Sequence, residues 1–289
     1  MLHGTGPHNT HVAPDGDLAP VTGMPCQNLN CEPTPGALSF HVSIGLTVRD
    51  CSFEHLGSAA LYLGDGAQHS HIVGNEFADI SAGAVAVGRV DSWDVTDPSQ
   101  QDAHNIIENN YLHDIAVEYA GAAGIWQGFW RDSKILNNTM IRLGYSAVHL
   151  GWGWRLAQGY SRNNEVAFNR IRHHLLLADD GGGLYTSGPQ PNTTIHHNYV
   201  SKRQHNRCGG CMYRDDGSAY IVDSFNVCDM PSGESCCLSV LLLLRLTVPE
   251  CVLPRASQYD LLFHVWRITT EYIVILQHAR HHHSQYVHE

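Results

Sequence analysis

The chain has 289 residues, a formal net charge of −11 with histidines neutral, and only 16% charged side chains. That balance excludes a nucleic-acid partner, which needs clustered Lys and Arg, and it slightly disfavours a polyanionic substrate unless a cation bridges. Low charge with 27 glycines suits a β-rich fold with many tight turns and argues against a helical bundle.

Residues 1–37 are rich in Pro, Gly, His and Asn and have no periodicity, so they read as an irregular lead-in. No basic region followed by an apolar run marks a signal peptide there. The first expected strand is Leu38 to Val42. A repeat then begins: apolar-x-x-Asn-x-apolar, a short polar gap, and Gly with alternating apolar residues. Val48-Arg-Asp-Cys51-Ser-Phe53 opens it, with Cys51 in the Asn slot. Ile72 to Phe77, Ile106 to Tyr111, Ile135 to Met140, Val166 to Ile171 and Ile195 to Val200 follow, and a weaker match lies at Val222 to Val227. The Asn slots fall at Asn75, Asn109, Asn138, Asn169 and Asn198, in steps of 34, 29, 31 and 29 residues.

Each unit holds two or three short β segments and no amphipathic helix. That excludes the helical repeat designs, and the period is too short for a propeller blade. What remains is an all-β solenoid of about six to seven rungs over residues 38–228, with inward apolar stacks and an Asn ladder at one turn. Beyond Cys228 the pattern collapses, and residues 229–289 form a non-repeat tail. A shifted reading frame, a retained intron or an unrelated tail would explain it; a capping element is the rival explanation. The longest apolar run there, Leu238 to Leu244, is too short to span a bilayer, so no membrane role is expected.

Nine cysteines leave at least one unpaired within the chain. Cys208-Gly-Gly-Cys211 has zinc-ligand spacing but lacks a second pair, so a loop disulfide or plain thiols are expected. The histidines are scattered, and neither a metal nor a cofactor is expected.

Strand parity organises the residues with chemistry. If Ile125, Val148, Leu184 and Met212 point inward, then Trp126, His149, Tyr185 and Tyr213 point outward in one stacked row. Asp215 shares the outward parity, Asp216 follows it, and Asp180 sits in the turn before Tyr185. Trp152 and Trp154 come one unit earlier and read as a sugar platform or as packing under a loop. Asp114 and Glu118, in the turn of an earlier rung, would extend the same groove. Sugar rings stack on Trp and Tyr, and paired carboxylates cleave glycosidic bonds. Asp-Gly is also ordinary turn chemistry, so it is two acidic turns on adjacent rungs beside one aromatic row that point to a site. Gly181 to Gly183 would suit a phosphate nest, but no Lys-Ser/Thr follows. Asn137-Asn-Thr and Asn192-Thr-Thr fit the glycosylation sequon, which has meaning only in a secreted protein.

The strings CSFEHLG (51–57), GWGW (151–154), DGGGLYTSGPQP (180–191) and YRDDGS (213–218) resemble those of right-handed parallel β-helix proteins of the pectate-lyase-like superfamily. Within it the chain is most similar to a glycoside hydrolase family known for α-L-fucosidase and xylanase activity. The resemblance covers about residues 38–228 and implies a right-handed coil, a carbohydrate substrate and a secreted protein. It places the acid and the nucleophile or base on Asp180 and on Asp215 or Asp216. Members of that family are usually longer at both ends, so this chain is expected to be a fragment. Three functions stay open at this point: a glycosidase; a polysaccharide lyase using Arg214 or Arg172 as base; and a non-catalytic β-helix that binds glycans or proteins.

Overall fold

The computed structural model describes residues 36–89, 94–152, 159–178, 180–201, 209–215 and 217–231, with four further strands described as backbone only: Cys26–Gln27, Asn30–Cys31, Phe263–Ile268 and Glu271–His278. From residue 36 to 231 the chain winds through seven coils, each giving one strand to each of three parallel sheets. The first sheet takes Gly36–His41, Ala59–Gly64, Val85–Val87, Ile125–Gln127, Val148–Leu150, Gly181–Thr186 and Gly209–Arg214. The second takes Thr47–Arg49, His71–Val73, Ile106–Glu108, Lys134–Leu136, Glu165–Ala167, Pro189–His196 and Ala219–Ser224. The third takes Ser52–Leu56, Glu76–Ile80, Tyr111–Ile115, Thr139–Leu143, Arg170–Arg172, Tyr199–Ser201 and Val227–Pro231. The third sheet continues through Glu271–His278, parallel to Val227–Pro231, and then through Phe263–Ile268, antiparallel to that strand. Among the described residues there is no α-helix, only a 3₁₀ turn at Pro98–Gln100.

Stacking strands in register stacks their side chains, and this builds the core. Ile72, Ile107, Ile135, Val166 and Ile195 form one inward row of the second sheet. Phe77, Leu112, Met140, Ile171, Val200 and Cys228 form one from the third. Leu61, Val85, Ile125, Val148, Leu184 and Met212 form one from the first. All of these side chains are buried, and each stabilises the fold by about 1.5–3 kcal/mol through removal of apolar surface from water.

The turn from the second to the third sheet is the same in all seven coils: two residues, the first left-handed. Asp50, Gly74, Asn109, Asn137, Phe168, His197 and Phe225 hold that position, with φ between 52° and 68°. The second residue is Cys51, Asn75, Asn110, Asn138, Asn169, Asn198 or Asn226. These asparagines make the expected ladder, with one correction: the third-coil member is Asn110, not Asn109. The Asn110 Oδ1 accepts from the Asn75 backbone N–H at 2.9 Å and from its Nδ2 at 3.0 Å, while the Asn110 Nδ2 donates to the Ile72 carbonyl and to the Asn138 Oδ1, both at 2.9 Å. The same pattern runs on through Asn138, Asn169, Asn198 and Asn226. Asn109 is outside the coil, where its Oδ1 accepts from the Asn137 Nδ2 at 2.5 Å.

A second ladder marks the turn entering the second sheet and was not foreseen. Ser70 N–H donates to Asn105 Oδ1, Asn105 N–H to Ser133 Oγ, Ser133 N–H to Asn164 Oδ1 and Asn164 N–H to Thr193 Oγ1. Both ladders satisfy backbone donors that the turns bury.

The long connection before Ile106 folds against the coils and buries Asp102, whose Oδ1 accepts from the Ala67 N–H at 2.8 Å. Burial pushes this carboxyl up to about 7, against the pull of the Ala67 and Gly66 amides.

Candidate active site

Sheet register decides which outward residues meet. Trp126 pairs with His149, His149 with Tyr185, and Tyr185 with Tyr213, so the four form the expected row on the outer face of the first sheet. The row is not the open sugar platform that its parity suggested. Trp126, His149 and Tyr185 are fully buried, and Tyr213 is 7% exposed. Trp152 packs on two of them, edge-on to Trp126 at 6.0 Å and stacked on His149 at 6.0 Å. Trp126 belongs to an apolar cluster with Tyr62, Ala86, Ala123, Tyr145 and Leu175, against which Trp152 and Ala178 pack. Burial drives the His149 imidazole down to about 3, so it is neutral at physiological pH. Trp152 and Ala178 are half-buried, and of the two Trp152 is the aromatic ring. Trp154 and Asp216 lie outside the described residues.

The two remaining aspartates flank the first-sheet strands of the last two coils. Asp180 occupies a left-handed turn, φ 60°, just before Gly181–Thr186. Asp215 follows Gly209–Arg214; its N–H donates to the Thr186 carbonyl at 2.9 Å, and its own carbonyl accepts from Ser218 N–H at 3.0 Å. The tyrosines link the coils crosswise. Tyr185 of the sixth coil donates its phenol to the Asp215 Oδ2 on the seventh. Tyr213 of the seventh coil donates back to the Asp180 Oδ1 on the sixth, at 2.5 Å. The two rings stack at 5.3 Å and 17°. A third phenol, Tyr145, donates to the Asp180 carbonyl at 2.5 Å. Burial raises the Tyr145 pKa, and the charges of Asp180 and Asp215 raise it further, so both carboxylates act on one buried group. Both aspartates are half-buried and reach solvent.

The run Gly181 to Gly183 serves close packing rather than a phosphate nest. A Cβ on Gly181 would sit 2.8 Å from the Ser146 Oγ, one on Gly182 would sit 2.9 Å from the Tyr213 Cβ, and one on Gly183 would sit 2.5 Å from the Val200 Cγ1. Removing these side chains lets Tyr145, Tyr213 and the core approach the strand.

Cys211, two residues before Tyr213, forms a disulfide with Cys228 inside the coil, which places it in a bond and not in the Cys208 zinc spacing. Arg214 faces inward and pairs with Asp223. Asp114 stands on the third-sheet strand Tyr111–Ile115, where Arg142 grips it from two nitrogens, at 2.5 and 2.6 Å, and that hydrogen bonding with a smaller contribution from His113 brings its carboxyl down to about 2. Among the described residues, no group of three or more His, Cys, Asp or Glu side chains is arranged to hold a metal. The sequence reading passed over Tyr145, which lies in the connection three residues before the strand Val148–Leu150; an aromatic just ahead of that strand was the available signal.

A family model described as "Right handed beta helix region" matches residues 36–226. No curated protein matches the chain. A solved structure described as "Glycoside hydrolase" aligns at a TM-score of 0.66 with 28% identity, over 69% of this chain and 36% of that one. The chain thus spans about a third of the length of that hydrolase.

Proposed function

We propose, from the premise that this chain belongs to the right-handed β-helix family, that its last two coils carry a glycosidase-type site with Asp180 and Asp215 as the paired carboxyls. The carrying observation is the crossed pair of hydrogen bonds, Tyr185 to Asp215 and Tyr213 to Asp180, between adjacent coils. In such a site one carboxyl protonates the glycosidic oxygen while the other attacks the anomeric carbon or activates water. The phenols fix each carboxyl's direction, and Trp152 offers a partly open ring at the edge of the site for a sugar face. Asp216 is proposed as an auxiliary acidic residue and Trp154 as a further platform. The likeness to a glycoside hydrolase supports a carbohydrate substrate. The Arg214 pairing with Asp223 counts against a lyase reading in part, because it engages one of the two arginines, Arg214 and Arg172, that could serve as its base.

Incubation of the purified chain with cell-wall polysaccharides, read by reducing-sugar release, tests this. Asp180→Asn and Asp215→Asn should each lower the rate by about 10²–10⁴-fold with the circular dichroism spectrum retained. An unsaturated product absorbing in the ultraviolet, or full activity in either variant, overturns the assignment.

A further inference from the structure

The chain entering the second sheet places one residue per coil in the left-handed region: Gly45, at φ 71°, in the first coil, then His69, His104, Asp132, Asn163, Asn192 and Tyr220, with φ between 53° and 61°. From His69 on they form an outer column. His69 stacks on His104 at 4.7 Å, Asn163 Nδ2 donates to Asp132 Oδ1 at 2.7 Å, and Asn192 Nδ2 donates to Asn163 Oδ1 at 3.3 Å. The column is polar until its last member, Tyr220, which is 69% exposed. Pro191, Asn192, Tyr220 and Val222 line one open surface depression of about 240 Å³. Asn192 is itself exposed and opens the sequence Asn192-Thr-Thr.

We infer that Asn192 is an N-glycosylation site and that the first sugar of its glycan rests on Tyr220. Three independent features combine here. The acceptor triplet is present with its Asn in an exposed left-handed turn, where the carboxamide projects outward. An exposed aromatic ring with a flanking valine lies one coil along, in the same depression, and pyranose faces pack on such rings. The Cys211–Cys228 disulfide indicates an oxidising compartment, the environment in which this modification is made. In the reaction the Asn192 Nδ2 bonds to the anomeric carbon of an N-acetylglucosamine. The bond from that carbon to a lipid-linked diphosphate breaks, and the departing diphosphate takes up the proton lost by the amide. Asn137, which opens the other such triplet, likewise donates its Nδ2 along its own column, to the Asn109 Oδ1 at 2.5 Å, and differs from Asn192 in that the ring one coil along, Phe168, is already faced by His197 at 5.1 Å.

The test expresses the full chain behind a cleavable signal peptide in eukaryotic cells and maps the folded product by peptide mass spectrometry before and after peptide N-glycosidase. A glycan on the Asn192 peptide, absent in Asn192→Gln, is expected. Tyr220→Ala should lower the melting temperature of the glycosylated protein by about 2–4 °C and leave that of the enzymatically deglycosylated protein unchanged. An unmodified Asn192 in the folded, secreted protein overturns the site. Equal shifts for Tyr220→Ala with and without the glycan overturn the sugar's seat on Tyr220. Neither outcome bears on hydrolysis at Asp180 and Asp215.

Discussion

Replacing Asn110 by Ala removes four hydrogen bonds and leaves two buried backbone groups, the Asn75 N–H and the Ile72 carbonyl, without their partner. An orphaned buried group costs about 1–3 kcal/mol, so a loss of about 2–6 kcal/mol is expected. Its neighbour gives the control. Asn109 is exposed and left-handed at φ 56°, and Gly74 fills the same turn position one coil earlier at φ 68°. Asn109→Gly therefore keeps the backbone, loses one solvent-exposed hydrogen bond, and should stay within about 0.5 kcal/mol of the parent. Urea unfolding of both variants, followed by tryptophan fluorescence and circular dichroism, compares them, with an unchanged slope showing that the transition itself is the same. Equal losses in the two variants, or less than about 1 kcal/mol for Asn110→Ala, would refute the ladder assignment and the inward register built on it.

Other predictions concern charge and covalent restraint. The Asp102 carboxyl titrates near 7 when folded against 3.8 unfolded, so the protein loses stability as pH rises from about 4 to about 7, by up to about 4 kcal/mol. Asp102→Asn mimics the protonated acid, so its stability relative to the parent should grow over that window; a pH-independent difference in urea midpoint would sink this account. His149 titrates near 3 when folded against 6.5 unfolded, so acidification from pH 6.5 towards 3 favours the unfolded chain, and His149→Phe should flatten that slope. Loss of the Cys211–Cys228 bond in the double Ser variant, which opens a loop with a sequence separation of 17 residues, should cost about 3 kcal/mol, read as a lower urea midpoint that dithiothreitol does not lower further. In the proposed enzyme, Tyr185→Phe should lower kcat/KM about 10- to 100-fold through the loss of one hydrogen bond to a carboxylate. Unchanged kinetics would show that the phenol does not position Asp215.

The coil was legible because most of its inward positions are apolar, Asp223 in line with Ile195 being an exception, and its ladder residue is almost always Asn. The slip at Asn109 has a local cause. Ile106-Ile107 and Asn109-Asn110 are doublets, so two frames one residue apart fit the pattern equally well, and only burial distinguishes Ile107 as the inward one. The second ladder escaped because its members, Ser70, Asn105, Ser133, Asn164 and Thr193, share a hydrogen-bonding role but not a residue type. The outward row followed from strand parity alone. Its cover did not, because Trp152, Leu175 and Ala178 come from connections whose path no repeat specifies. Asp102 was equally hidden: nothing beside it in the chain marks it as buried, since its enclosure depends on how a long connection returns to the coils.

The unvarying two-residue corner between the second and third sheets divides the molecule into places that tolerate change and a place that does not. One residue added there would displace the side chains of the third-sheet strand that follows to the opposite face and sever the asparagine line at that coil. The connections before Ile106 and before Glu165 carry no such constraint and already differ in length. New loops, and with them new specificities, are expected to accumulate at those connections, while the asparagine corner stays the same length for as long as the coil continues.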